Sequence, residues 1–159
     1  MPNWCSNSVT LTHEDQSVLV RAKEAFRQGK LLNEFVPCPG GWDYDWCVEN
    51  WGTKWDVGSE AEAEHAALTD GELTLHFDSA WSPPIVAYEN MLDQGFGITA
   101  YYFEPGMAFC GCWEDGVDSE YHIPSTSAEA AKVIPVAIDQ AFDIVNSLAM
   151  WEDEDGDGE

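Results

Sequence analysis

Near the start of the chain apolar and polar residues alternate, with Val9 and Leu11 interleaved by Ser8, Thr10 and Thr12. A period of two is that of a strand with one buried face, so residues 3–12 are predicted to be a strand. The period then lengthens. Val18, Leu19, Ala22, Ala25 and Phe26 fall on one helical face, with Thr12 and Asp15 as a capping-box pair before them and Gly29 after them. Residues 36–56 lose all periodicity. Pro37, Pro39, Gly40 and Gly41 break regular structure there, and Trp42, Trp46, Trp51 and Trp55 argue for a packed loop. The Glu60-Ala61-Glu62-Ala63-Glu64 run has helix-favouring composition but the period of a strand. It leads to the turn signal Thr69-Asp70-Gly71 and then to the alternating Glu72–Phe77, so a β-hairpin is expected, with Glu60, Glu62 and Glu64 on one strand face.

Ser82-Pro83-Pro84 opens a second helix with the apolar stripe Ile85, Tyr88, Met91 and Leu92, closed by Gly95. Residues 96–104 and 107–113 are predicted strands joined at Glu104-Pro105-Gly106, and Glu120–Ile123 an edge strand. Thr126 and Glu129 then form a capping box. Ile134, Ile138, Ala141, Phe142, Val145 and Leu148 form the stripe of one long helix kinked at Pro135. This order predicts an α+β fold, helices on one face of an antiparallel sheet, in a single domain. Residues 1–123 are its core, 124–151 an appended C-terminal helix of the same domain, and 152–159 a disordered acidic tail.

Charge is the most extreme feature of the composition. Six Lys and Arg stand against 30 Asp and Glu in 159 residues, a net charge of −24. Without the acids of residues 152–159 the remainder still carries −18. So acidic a chain repels nucleic acid and anionic membranes, which excludes direct binding to either. Solubility alone asks for a magnitude of only about 2–8 in a small domain. No apolar run reaches the roughly 20 residues of a membrane span. Met1-Pro2-Asn3-Trp4 lacks the basic and apolar regions of a signal peptide, and the five cysteines are an odd number. A cytoplasmic protein with reduced thiols is therefore expected.

Candidate chemistry is sparse. Cys110-Gly111-Cys112, Cys38 and Cys47 lack the Cys-x₂-Cys spacing of zinc knuckles, and His13, His65, His76 and His122 are scattered, so no metal is expected. There is no Gly-x-Ser-x-Gly elbow and no phosphate-binding Gly-Lys loop, so no catalytic residue, no cofactor and no enzyme activity are expected. Asn3, Trp4, Trp51, Lys54, Trp55 and Trp81 are candidates to line a pocket, Lys54 being the only basic residue between Lys30 and Lys132. The competing assignment makes the same tryptophans structural, because buried Trp is mostly packing.

Four segments occur in a characteristic order: Met1-Pro2-Asn3-Trp4-Cys5-Ser6-Asn7, Asn50-Trp51-Gly52-Thr53-Lys54-Trp55-Asp56, Ala80-Trp81-Ser82-Pro83-Pro84, and Tyr102-Phe103-Glu104-Pro105-Gly106 with Phe109 and Gly111. On these the chain resembles the Api92-like family of phages, prophages and conjugative plasmids, which overlaps the plasmid YubB ferredoxin-like domain family. The resemblance covers roughly residues 1–113. It implies a ferredoxin-like βαββαβ core in a protein of an infected or plasmid-bearing bacterial host, and it supplies no catalytic residues. The resulting expectation is a non-enzymatic acidic interaction protein of a mobile genetic element. It would act as a nucleic-acid mimic, binding a basic host protein through Glu60, Glu62, Glu64, Glu114, Asp115, Asp118 and Glu120. The alternative expectation is a small-ligand-binding module with a Trp-lined pocket.

Overall fold

A computed structural model of the chain describes residues 3–157. The alternating N-terminal segment forms strand β1 (Trp4–Thr12), and helix α1 (Gln16–Arg27) follows. Asp15, rather than Thr12, caps α1, its carboxylate accepting from Ser17 N at 3.0 Å. Thr12 stays in the sheet opposite Glu72 and Gly97.

Helix α2 (Leu31–Phe35) follows α1, and the stretch expected to be irregular, residues 36–56, holds a further helix, α3 (Tyr44–Trp51). Asp43 caps α3 by accepting from Trp46 N at 3.0 Å, and Gly52 ends it at φ +88°. This Asp cap and glycine stop are signals that local Pro and Gly content masked.

The expected hairpin is shorter than its pattern suggested. Residues Glu60–Ala63 form a helical turn, α4, and only Ala67–Thr69 (β2) pairs with β3 (Glu72–Ala80). Ser59 decides this. Its hydroxyl accepts from Glu62 N at 3.1 Å, a cap that favours a helix start over a strand. Glu60, Glu62 and Glu64 therefore do not line a strand face.

Helix α5 (Ile85–Leu92) begins after the two prolines, and β4 (Gly97–Glu104), β5 (Phe109–Glu114) and β6 (Val117–His122) complete the sheet. The expected long terminal helix is divided into α6 (Ser127–Val133), α7 (Val136–Phe142) and α8 (Ile144–Asp157). Pro135 forces Ile134 into the extended region and so breaks rather than kinks the helix. Asp143, left-handed at φ +54°, makes the second break. Helix α8 runs through residues 152–157, which were expected to be disordered. Gly158 and Glu159 lie outside the described residues.

The product is an α+β fold with one six-stranded antiparallel sheet, ordered β2-β3-β1-β4-β5-β6. One face carries Val9, Leu11, Leu73, Leu75, Phe77, Ile98, Ala100 and Trp113. These pack on Leu19 and Phe26 of α1, Leu32 of α2, Trp51 of α3 and Tyr88 of α5. Burying each such side chain contributes roughly 1.5–3 kcal/mol. The other face is not bare. Tyr101, Phe103, Cys110, Cys112 and Tyr121 pack against Ile134, Ile138 and Ile144 of the C-terminal helices. The expectation of helices on one face only is thus corrected: β4 and β5 are covered on both sides, while β6 stays largely exposed. The remainder of the second face, Ser6, Ser8, Thr10, Thr74, His76 and Asp78, is polar and is exposed at His76 and Asp78. No helix among the described residues is long and apolar enough to cross a membrane.

Candidate functional site

The four segments that carry the family resemblance meet at one end of the sheet. Trp4 pairs with Ala80 across β1 and β3, and the chain just before it, at Asn3, accepts a hydrogen bond from Trp81 N at 2.8 Å. Thr53 Oγ1 donates to Ala80 O at 2.9 Å, and Ser82 Oγ to Gly52 O at 2.7 Å, tying the turn after β3 to the loop after α3. A Cβ on Gly106 would stand 2.6 Å from the Asn3 side chain, so the turn after β4 closes over Asn3. The buried carboxylate of Glu104 fixes that turn, accepting from Gly106 N and Met107 N at 2.5 and 2.8 Å.

Trp81 has φ +67°, a left-handed conformation that costs a bulky residue of order 1–3 kcal/mol. The hydrogen bonds around it hold that conformation and turn its indole outward. A row of rings results. Trp4 and Trp55 have centroids 5.8 Å apart, and Trp81 and Tyr44 are 6.5 Å apart, as are Tyr44 and Trp42. Lys54 links the two halves, its Nζ lying 4.2 Å from the Trp55 ring and 4.2 Å from the Trp81 ring. Trp42 Nε1 donates to Lys54 O at 2.6 Å and anchors the far end. The five rings are 39–60% exposed. That exposure distinguishes them from Trp113, which is 1% exposed in the core. Trp4, Trp55 and Trp81 are therefore not buried as core packing.

Trp51 does not belong with them. It is buried, donates from Nε1 to Val36 O at 2.8 Å and packs edge-on to Trp46 at 5.8 Å. Trp42 and Tyr44 were not among the expected site residues. The Asp43 cap was the signal, since it starts a helix that carries Tyr44 on its first turn. Asp43 and Asp45 flank Tyr44 in sequence and are exposed.

The loop that presents Lys54 and Trp55 is held from below by Asp56. Its carboxylate accepts from Leu32 N at 2.7 Å, Asn33 N at 2.9 Å and Val57 N at 2.8 Å. The loop ends at Gly58, φ +108°, where an added Cβ would collide with the Phe26 carbonyl.

The two acidic groups fare differently. Glu60 pairs with Arg27 at 2.8 Å, which also holds Glu24 at 2.6 Å. Glu62 accepts from Asp78 N at 3.1 Å and is half-buried. Glu60 and Glu64 are both exposed, and the Glu64 carboxylate alone of the three makes no hydrogen bond among the described residues. The second group is brought together on the β5–β6 hairpin and is exposed. Within it, Asp115 accepts from Ile98 N at 2.7 Å and Asp118 from the Tyr102 hydroxyl at 2.6 Å, while Glu114 and Glu120 face water.

The five cysteines are free thiols, and burial pushes Cys5 up to about 12 and Cys110 to about 11. Among the described residues no group of three or more His, Cys, Asp or Glu side chains is arranged to hold a metal ion. What the ring row offers is flat π surface, indole N–H donors and one ammonium. No family model, curated protein or solved structure matches this chain.

Buried and paired carboxyls set a pH dependence with two limbs. Burial raises the pKa of Asp56, outweighing its three backbone donors, and burial raises that of Glu62. A folded pKa above the unfolded value, about 3.9–4.3, means that stability is gained as these groups protonate on acidification. The Arg27 hydrogen bond holds Glu24 at about 2, and bonds from Ser17 and Ser127 lower Asp15 and Glu152. Their stabilisation is complete above the unfolded pKa and is lost as pH falls below it. The melting temperature is expected to rise from pH 7 to about 5 and to fall below about pH 4. Moderate salt is expected to raise it at pH 7 by screening the net −24. Thermal melts across pH and salt check both limbs, and a steady fall from pH 7 downward contradicts this assignment.

Proposed function

We propose that this protein is a non-enzymatic interaction protein that binds a basic protein surface through its exposed aromatic row and its acidic surface. The observation that carries this is the joint occurrence of five exposed aromatic rings in one row and a net charge of −24. Exposed Trp and Tyr side chains on a well-anchored frame are the residues that dominate binding energy at protein interfaces. The charge supplies steering toward a partner of opposite sign.

The family resemblance fits this reading. The four segments that carry it build the ring row, and α1, α2, α3 and α5 lie on the same face of the sheet. The ferredoxin-like part of the proposal is supported by strands β1 to β4, which alternate with helices in the βαββαβ manner and lie in the order β2-β3-β1-β4. On this reading β5, β6 and the C-terminal helices are additions to that core. The protein then belongs to a phage, prophage or plasmid, and its partner is a nucleic-acid-binding protein of the bacterial host. Mimicry of nucleic acid rests on the β5–β6 hairpin rather than on residues 60–64. Asp118 and Glu120 are alternate strand residues, about 6.6 Å apart, close to twice the 3.4 Å phosphate advance along one DNA strand.

The test is capture from bacterial lysate at low salt, followed by reconstitution with the purified partner. A basic nucleic-acid-binding protein is expected, with affinity reduced by joint replacement of Glu114, Asp118 and Glu120 by their amides. Capture of no such protein overturns the proposal.

A further inference from the structure

The position of Lys54 is unusual for a cation in this chain. With 30 carboxylates available, its ammonium lies between two indole faces, 4.2 Å from each centroid. Both distances are within the roughly 6 Å reach of a cation–π contact. The two rings belong to different segments, Trp55 to the loop after α3 and Trp81 to the turn after β3. Each is fixed independently of Lys54. The Asp56 carboxylate binds three backbone amides beneath Trp55, and Asn3 O, Thr53 and Ser82 hold the Trp81 turn. The cleft is thus preformed, and binding to it carries little ordering cost. Trp55 and Trp81 are 39% and 43% exposed, so it opens to water.

We propose that the Trp55–Trp81 cleft is a receptor for a cationic side chain of the partner, arginine above all, with Lys54 as its resident occupant. This rests on the interaction reading given above and names the chemistry that the site recognises. Lys54 has a flexible four-carbon stem and a strongly hydrated ammonium, so it leaves for water at little cost. A guanidinium is planar, more weakly hydrated and stacks on aromatic faces, so it wins the exchange. The field of the chain raises the local concentration of cations at every entrance. The same field opposes an anion recruited by Lys54. Trp4, tilted at 5.8 Å beside Trp55, and Tyr44, beside Trp81, extend the platform for residues on either side of the arginine.

The test is a titration of the full chain with Nα-acetyl-arginine amide, followed by the indole N–H signals of Trp55 and Trp81 in NMR spectra. Nα-acetyl-citrulline amide serves as the uncharged control and inorganic phosphate as the anionic one. Lys54→Ala is expected to bind the arginine probe at least about tenfold more tightly than wild type, at those two signals, and to leave the citrulline probe unbound. Lys54→Met, which keeps the stem and removes the charge, is expected to show a smaller gain and serves if the alanine variant does not fold. The inference is overturned if neither variant gives a saturable shift at Trp55 and Trp81, if citrulline binds as well as arginine, or if phosphate alone binds. It also fails if a basic protein partner is bound equally by wild type, Trp55→Ala and Trp81→Ala, and in that case only the acidic half of the interaction reading stands. If the arginine probe fills the cleft but no basic protein is bound, the cleft stands and the broader reading fails.

Discussion

Trp55→Ala combined with Trp81→Ala is expected to weaken binding to a basic protein partner by about a hundredfold or more while the fold survives. Interface tryptophans that act as anchors cost about 2 kcal/mol or more each when truncated, and 1.4 kcal/mol is a factor of ten. Both indoles project from backbone that other groups hold. The Trp81 turn is fixed by main-chain and hydroxyl hydrogen bonds, and the Trp55 loop by Asp56. Removing the rings leaves those bonds in place. The contrast is Trp113→Ala, which empties a fully buried site packed on Tyr88 at 5.5 Å and is expected to cost about 3–5 kcal/mol of stability. Isothermal titration with the partner and circular dichroism of both variants check the pair of outcomes. A double variant that binds like wild type removes the aromatic row from the interface.

The second large effect is on the frame beneath the site. Gly58→Ala is expected to destabilise the protein by about 3–5 kcal/mol, a large share of a typical total of roughly 5–15. A Cβ there would stand 2.9 Å from the Phe26 carbonyl carbon and closer still to its oxygen, against the rigid end of α1. The residue also sits at φ +108°. Gly41 separates the two causes. It has φ +100° but nothing within 4 Å of its added Cβ, so Gly41→Ala carries only the conformational part, about 1 kcal/mol. Denaturant midpoints of the two variants check the difference. Equal losses mean that the contact with Phe26 is not tight.

Much of the frame was legible in the sequence. The period-two pattern located β1, β3 and β4, and the apolar stripes of α1 and α5 located the helices that cover them. Thr126 caps α6 as its spacing indicated, accepting from Glu129 N. The failures share a cause: a single side chain overrode a pattern. Ser59 capped a helix turn where Glu and Ala alternated, Asp43 capped a helix inside a loop-like stretch, and Asp15 displaced Thr12 as a cap. At Pro135 and Asp143 one residue each ended helices whose stripe ran on. The apolar stripe of residues 134–148 was real, but it covers the second face of the sheet, a fact that periodicity cannot carry.

The site was legible by residue type and not by exposure. Trp4, Lys54, Trp55 and Trp81 come together as expected, because the register of β1 on β3 brings Asn3 to Trp81. Trp51 was assigned with them by proximity in sequence, yet it lies on the side of α3 that faces the core. Nothing in the chain separates an indole that packs inward from one that projects. That depends on which helix face meets the sheet.

The most direct measurement is the affinity of this protein for its purified basic partner as salt is raised from about 50 to about 200 mM, with and without duplex DNA as competitor. Affinity is expected to fall steeply and linearly on logarithmic axes, and DNA and this protein are expected to exclude one another from the partner. Binding that is insensitive to salt, or a ternary complex with DNA, contradicts the proposed function.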